Sequence, residues 1–250
     1  MSENRERCDV GLKKQQGIQS VKFEEPPIIC AAASVVGQKE GDGPFGDVFD
    51  QIESDPKVGG DTWEDAEGRL QERAAELAIQ KAGCGKEAIR YIVAGDLLGQ
   101  LMASSFGLAG FDKPLFGVYG ACSTMGESIG IGSMLVEGGF ADYVLAMTSS
   151  HFASAEKQFR FPLGYANQRP KASTWTVTGS GAVVICKGDQ KQGMAKITGI
   201  TTGKIVDYGV KDTMNMGACM APAAASVVAA HFKDFGTDPS EYDQIITGDL

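Results

Sequence analysis

Cys122 is the residue of this sequence whose surroundings best suit chemistry. It follows an apolar run at Leu115–Tyr119 and a Gly120-Ala121 step, and a stretch of small residues comes after it. This order predicts a strand, a tight turn and a helix, with the thiol at the helix N-terminus. Free N–H groups there lower a thiol's pKa and attract anions. The pattern predicts an exposed nucleophile or an anion site, as in strained strand-to-helix turns, and a buried structural cysteine is the alternative.

A polar segment, Phe152–Ala172, is a second region of interest. It separates two apolar runs and carries the basic residues Arg160, Arg169 and Lys171 among aromatic ones. Long loops carried by a rigid scaffold often form binding sites. The segment is therefore predicted to cover a site or a partner subunit, and a merely solvated loop is the alternative.

Composition excludes several classes of function. The formal net charge is −9, with 43% hydrophobic and 22% charged residues, which is typical of a soluble globular protein and argues against nucleic acid or anionic lipid as partners. The apolar stretch at Ala221–Ala230 is too short to span a membrane, and Met1–Lys14 lacks a signal-peptide core. Synthesis in the cytosol is expected. The six cysteines are scattered, so we expect reduced thiols, no metal site and no cofactor.

The N-terminal part of the chain has a clear pattern of elements. Residues 1–26 are polar and predicted to be a loose arm, Ile28–Val36 reads as a strand, and Gly37–Gly60 reads as a long loop. Thr62 as N-cap and Gly83 as a stop signal then bracket an amphipathic helix.

Strands and helices alternate beyond that helix, which predicts a largely parallel sheet with helices on both faces. The glycines that follow Cys122 would destabilise an exposed helix, so this helix is predicted to lie in a crowded centre against another helix. The further elements are expected at Tyr91–Ala94, Gln100–Leu108, Leu115–Tyr119, Tyr143–Met147 and Ala182–Cys186.

The order of elements begins again after Gly188. A strand is predicted at Ala195–Thr202, a helix opened by Pro222 that runs to Phe235, and a strand at Tyr242–Ile246. This repetition predicts three regions: the arm at 1–26, a complete half at 27–190, and the start of a second half at 191–250.

Several motifs together resemble the thiolase-like superfamily, in which two β-α-β-α-β-α-β-β halves pack around two central helices. They are Ala121–Thr124, Thr178–Ala182 and the restart near Ala195. The resemblance implies an α/β fold layered αβαβα, with a complete N-terminal half and an incomplete, truncated C-terminal half. A more specific set of segments is similar to the stage V sporulation protein AD family of endospore-forming bacteria, over residues 28–250. These segments are Ala94–Leu98, Phe116–Thr124, Thr148–His151, Glu156–Pro162, Thr176–Ile185, Met220–Ala225 and Tyr242–Leu250.

That family resemblance implies a binding function without catalysis. It implies dipicolinic acid as ligand, with or without calcium, and other stage V sporulation A membrane proteins as partners. It also implies a peripheral location at the forespore or spore inner membrane. An aromatic dianion needs an apolar slot with N–H donors and cations. Whether the chain forms a homodimer stays open. The candidate ligand-binding residues are Cys122, Ser123, Thr124, Ser149, Ser150, His151, Arg160, Lys171 and Thr178.

Two rival functions remain open from the sequence. An acyltransferase like the ketoacyl synthase III enzymes would use Cys122 as nucleophile, but Thr247-Gly248-Asp249 stands where that branch has Pro-His-Gln. His231 reads as a satisfied or surface residue of its helix, whereas His151 is expected to reach the Cys122 turn. A pure scaffold, which binds partners and no small ligand, is the third reading.

Overall fold

The computed structural model describes residues 14–159, 175–188, 193–212 and 215–248. The chain divides into two compact units, residues 25–197 and residues 1–24 with 198–250. The strands are β1 (Gln15–Gln16), β2 (Ser20–Lys22), β3 (Ile28–Gly37), β4 (Gln51–Glu53), β5 (Ile89–Asp96), β6 (Leu115–Gly117), β7 (Tyr143–Ser150), β8 (Gly179–Cys186), β9 (Ala195–Lys196) and β10 (Gly199–Thr201). The α-helices are α1 (Gln38–Gly41), α2 (Trp63–Ala82), α3 (Met102–Gly107), α4 (Thr124–Glu137), α5 (Phe152–Phe159) and α6 (Met216–Phe235).

The larger unit is built on a mixed sheet with the strand order β4-β3-β8-β7-β5-β6, and β9 pairs with β3. The prediction of a largely parallel sheet is confirmed for the five strands β3 to β7, whereas β8 runs antiparallel to both β3 and β7. Strand β8 is antiparallel because the chain re-enters the sheet at the same end of the strands at which β7 ends, since Ser150 pairs with Gly179. The segment between these two strands therefore does not cross over to the opposite end of the sheet.

The two faces of the sheet are covered by α2 and α4. Leu145 and Met147 of β7 join the apolar cluster under α2, whereas Val144 and Ala146 join the cluster under α4. This alternation follows from the two-residue period of a strand. Gly132 of α4 lies so close to the sheet that a Cβ would stand about 3.1 Å from Ile185, which explains the glycine at this position.

The prediction for α2 is confirmed at both ends. Thr62 is the N-cap, and its side chain accepts a hydrogen bond from the Asp65 N–H. Gly83 ends the helix in the left-handed conformation, with φ of 59°. The helix therefore begins and ends where the sequence places it.

The smaller unit gives a different picture of the N-terminal arm. Strands β1, β2 and β10 form an antiparallel sheet, so the described end of the arm is not loose. The carboxylate of Asp234 on α6 accepts hydrogen bonds from the N–H groups of Ile18 and Gln19 and from the Ser20 hydroxyl. The N–H donors of Gln19 and Ile18 hold the pKa of this carboxyl below its usual range. The hairpin turn is thus tied to the helix.

Four further expectations change. The predicted loop at 37–60 contains α1 and β4, and the polar excursion after β7 begins with α5. Pro222 lies inside α6, which starts earlier because the Asn215 side chain caps it by accepting from the Ala218 N–H.

The predicted strand at 242–246 is the fourth change. It pairs with no strand of the described residues, and strand conformation depends on such pairing.

Candidate functional site

The Cys122 turn has the strained geometry that the sequence predicts. A 3-10 turn at Ala121–Ser123 connects β6 to α4, so Cys122 stands two residues before the helix and its side chain is exposed. Ala121 has φ of 50°, a left-handed conformation that costs a non-glycine residue about 1–2 kcal/mol. The strain lies directly before the cysteine.

In the described part of the chain, no side chain caps the N-terminus of α4. The hydroxyl of Ser123 donates instead to the Gly120 carbonyl at 2.8 Å, and it also contacts the Glu127 carboxylate. Thr124 is fully buried, and its hydroxyl has no hydrogen-bond partner among the described residues. The Thr124 N–H donates to the Ala121 carbonyl, and in the described part of the chain no side chain caps the N–H groups that follow it in the first turn of α4.

Cys122 borders an open cavity of about 330 Å³, which we call the elbow cavity. Ser150 lines it and donates its hydroxyl proton to the Val177 carbonyl at 2.6 Å. Two other cavities of the larger unit have greater volumes, about 430 and 500 Å³. The described residues that line the elbow cavity carry no charged side chain. They are Ser34, Val36, Phe49, Leu97, Ala121, Cys122, Met125, Thr148, Ser149, Ser150, Val177, Gly179, Ser180 and Gly181.

The candidate site residues are only partly brought together. Cys122, Ser149 and Ser150 line the elbow cavity, and Ser123 and Thr124 start α4 beside it. Thr178 is buried, and its hydroxyl accepts from the Phe152 N–H at the start of α5. Arg160 and Lys171 lie outside the described residues.

His151 does not reach the Cys122 turn, which corrects the expectation for it. Its ring is fully buried, Nε2 donates to the Pro56 carbonyl at 2.7 Å, and Nδ1 accepts from the Ala153 N–H at 3.1 Å. A carbonyl only accepts, so these bonds fix the neutral tautomer. Burial lowers the pKa of His151, and Trp63 packs against its ring. Both nitrogens are thus occupied away from the thiol.

His231 is a satisfied helix residue, as predicted. Its ring nitrogens bond to the Thr201 hydroxyl at 2.8 Å and to the Tyr242 hydroxyl at 2.7 Å, all within the smaller unit. Among the residues that the structure describes, no group of three or more His, Cys, Asp or Glu side chains is placed to hold a metal ion.

A buried polar network lies behind Ser149. This serine donates to Glu67 on α2 at 2.8 Å and accepts from Gln71 at 2.7 Å. Gln71 also bonds to Ser104, whose hydroxyl donates to Asp96 at 3.1 Å. Burial raises the pKa of Glu67 to about 7, and the nearby Asp96 charge adds to this rise.

The network also holds the loop after β5. The carboxylate of Asp96 accepts the N–H groups of Leu101 and Ser104, and both Gln100 and Leu101 have positive φ. Sequence reasoning missed this group of residues. The signal was present, because Glu67 and Gln71 interrupt the apolar face of the predicted amphipathic helix at a spacing of four residues.

Comparison with known proteins identifies the relationship. The family model of stage V sporulation protein AD matches residues 17–250. Stage V sporulation protein AD of Bacillus subtilis (strain 168) is 44% identical over 237 residues, which is 95% of this chain and 69% of that protein.

Solved structures show the same fold at low identity. A 3-oxoacyl-(acyl carrier protein) synthase III, FabH, from Xanthomonas oryzae pv. oryzae is 18% identical with a TM-score of 0.56, covering 90% of this chain and 77% of that one. A cerulenin-bound OleA variant from Xanthomonas campestris is 17% identical with a TM-score of 0.53, covering 92% and 74%. These likenesses establish the thiolase-like fold.

In the parts of the chain that the structure describes, no helix has the length and apolar character to cross a bilayer.

The family match and the sequence identity rest on nearly the whole chain, and the fold agrees with both. The chain therefore belongs to the stage V sporulation protein AD family, a thiolase-like branch of sporulation proteins.

Proposed function

We propose that this chain binds dipicolinic acid in the elbow cavity and acts without catalysis in the assembly that brings calcium dipicolinate into the forespore. It would work beside the other stage V sporulation A proteins at the forespore membrane. The observation that carries the proposal is the elbow cavity itself. It joins an exposed Cys122 to the uncapped start of α4, while both histidines are bonded elsewhere.

The cavity suits a flat aromatic ring with carboxylates. Its volume of about 330 Å³ is sufficient for a single ring, since ligand pockets span roughly 300–1,000 Å³. Val36, Phe49 and Met125 supply apolar wall. The start of α4 supplies N–H groups at the rim, whereas the Ser150 hydroxyl donates its proton to the Val177 carbonyl.

A dianion also requires positive charge, and no described lining residue carries it. We propose that Arg160 and Lys171 provide this charge. Replacing Arg160 by Gln should then weaken dipicolinate binding by about 1.5–3 kcal/mol, the usual value of a charge-assisted hydrogen bond. Arg90→Gln is the matched control, because Arg90 is exposed and stacks on Tyr91. Equal dipicolinate affinities of the two variants would show that Arg160 does not contact the ligand.

Gly181 offers a direct test of the cavity. It lines the cavity, and a Cβ there would meet no described atom within 4 Å. Gly181→Leu should therefore fill the space without disturbing the strand, and calorimetry should show loss of dipicolinate binding. Gly110→Leu is the control, because Gly110 is exposed and equally unobstructed. Undiminished binding by Gly181→Leu would place the ligand elsewhere.

Acyl transfer is the second candidate, favoured by the exposed thiol at a strained turn on a thiolase-like fold. An acyltransferase should be acylated at Cys122 by acetyl-CoA, and iodoacetamide should block it. The binding function predicts instead that acetyl-CoA leaves Cys122 unmodified and that no condensation occurs. A pure scaffold would bind neither molecule.

A further inference from the structure

Glu67 is a buried carboxyl group that the proposed function does not use. It is 2% exposed on α2, and both its oxygens accept hydrogen bonds from hydroxyls. Ser149 donates to Oε1 at 2.8 Å and Ser154 donates to Oε2 at 2.5 Å. In the part of the chain that the structure describes, no cation lowers its pKa.

The surroundings of Glu67 disfavour a negative charge on this carboxyl beside that of Asp96. The charge of Asp96 on β5 acts on it through space and raises its pKa. The ammonium group of Lys157 on α5 is paired with Glu64. The titratable side chains on the elements packed around α2 are Cys30 on β3, Tyr143 on β7, Cys186 on β8, Glu156 and Lys157 on α5, and His151 just before α5.

Ser154 gives this site two balanced states. Its hydroxyl lies 2.5 Å from Glu67 Oε2 and 3.0 Å from the His151 carbonyl oxygen. When Glu67 is ionised, Ser154 donates its proton to the carboxylate. When Glu67 takes a proton from solvent, the carboxyl O–H can donate to the Ser154 hydroxyl. The Ser154 hydroxyl can then donate to the His151 carbonyl oxygen. Every polar group in this set keeps a partner in both states.

Ser149 connects this carboxyl to the elbow cavity. The residue lines the cavity, and its hydroxyl is bonded to Glu67. We propose that anion binding in the elbow cavity and proton binding by Glu67 are linked, so that the bound anion draws a proton onto this carboxyl. An ionised Glu67 repels a dianion across one serine, and a neutral one does not. Linkage is reciprocal, so ligand affinity falls as Glu67 ionises. The inference rests on the proposed function for the identity of the anion.

Glu67→Gln is the appropriate variant, because its amide reproduces the hydrogen bonds of the protonated state. Its carbonyl accepts from Ser149, and its NH₂ donates to Ser154. Glu76→Gln is the matched control, since Glu76 is an exposed carboxylate on the same helix. Both variants should fold.

The test is calorimetric titration of the chain with dipicolinate in two buffers of different ionisation enthalpy. Between about pH 6 and about pH 8, the Kd of the unchanged chain should rise on the order of fivefold, with net proton uptake near neutral pH. Glu67→Gln should show a constant Kd and no uptake, and Glu76→Gln should behave like the unchanged chain.

Infrared spectroscopy of the same proteins reports the proton directly. A protonated carboxyl band that is absent in Glu67→Gln should fade as the pH rises through neutral. Dipicolinate should move the midpoint of this transition to higher pH. A constant Kd in the unchanged chain, or no such band, would overturn the linkage while the proposed function stands. Absence of dipicolinate binding at every pH would instead overturn the proposed function, and the linkage with it.

Discussion

Helices α2 and α4 cover opposite faces of one sheet and differ in almost every local property. Helix α2 is capped at both ends and buries a polar network around Glu67 and Gln71. Helix α4 is rich in glycine, has no side-chain cap at its start and begins beside the exposed Cys122. The α2 face is built for stability and the α4 face for access. A site can be open at one face because the opposite face supplies the stability.

The largest predicted effect tests where that stability lies. Leu70 of α2 is fully buried, so Leu70→Ala should lower the free energy of unfolding by about 3–5 kcal/mol. Met134 of α4 is 41% exposed, and Met134→Ala should cost under about 1 kcal/mol. Denaturant titration measures both. Similar losses would mean that the two faces contribute equally.

The pH dependence of unfolding is the next largest effect. Glu67 has a pKa of about 7 in the fold against an ordinary 4.5, so the folded chain binds this proton more tightly than the unfolded chain. Its contribution to stability is therefore complete below about pH 4.5 and is lost as pH rises to about 7, by roughly 3 kcal/mol. Glu67→Gln should abolish this part of the slope in denaturant titrations. An unchanged slope would place the buried charge elsewhere.

The helix caps give a smaller contrast. Thr62 caps α2 through the Asp65 N–H, so Thr62→Ala should lower stability by about 1 kcal/mol. Ser123 does not cap α4, and Ser123→Ala should change the unfolding free energy by less than about 0.5 kcal/mol. Thermal unfolding of the two variants provides the comparison, and a larger loss at Ser123 would contradict it.

The smallest effect concerns the strained turn. Ala121 has φ of 50°, so Ala121→Gly should relieve strain and stabilise the chain by about 0.5 kcal/mol. The same change at Ala75, in the buried middle of α2, should destabilise it by about 1 kcal/mol or more. Opposite signs in matched denaturant titrations are expected. Destabilisation at both positions would show that the turn is unstrained.

The sequence predicts what is local and misses what depends on distant partners. The ends of α2 follow from Thr62 and Gly83, and the turn at Cys122 follows from its neighbours. The polar network joins α2, α3, β5 and β7, so only the fold shows its members together. The orientation of His151 depends on the Pro56 carbonyl, which lies in a predicted loop. The beginning of α6 depends on the Asn215 cap rather than on Pro222.

The pairing of Ser150 with Gly179 has a consequence for how this fold can vary. The segment between β7 and β8 leaves and rejoins the sheet at neighbouring positions on the rim of the elbow cavity. Closing such a segment costs little more when it grows, since the entropy of loop closure rises only slowly with length. Insertions there can reshape the cavity mouth while the ladder of β3, β8 and β7 stays intact. The shape of the cavity mouth can therefore change through one segment, without rebuilding the core.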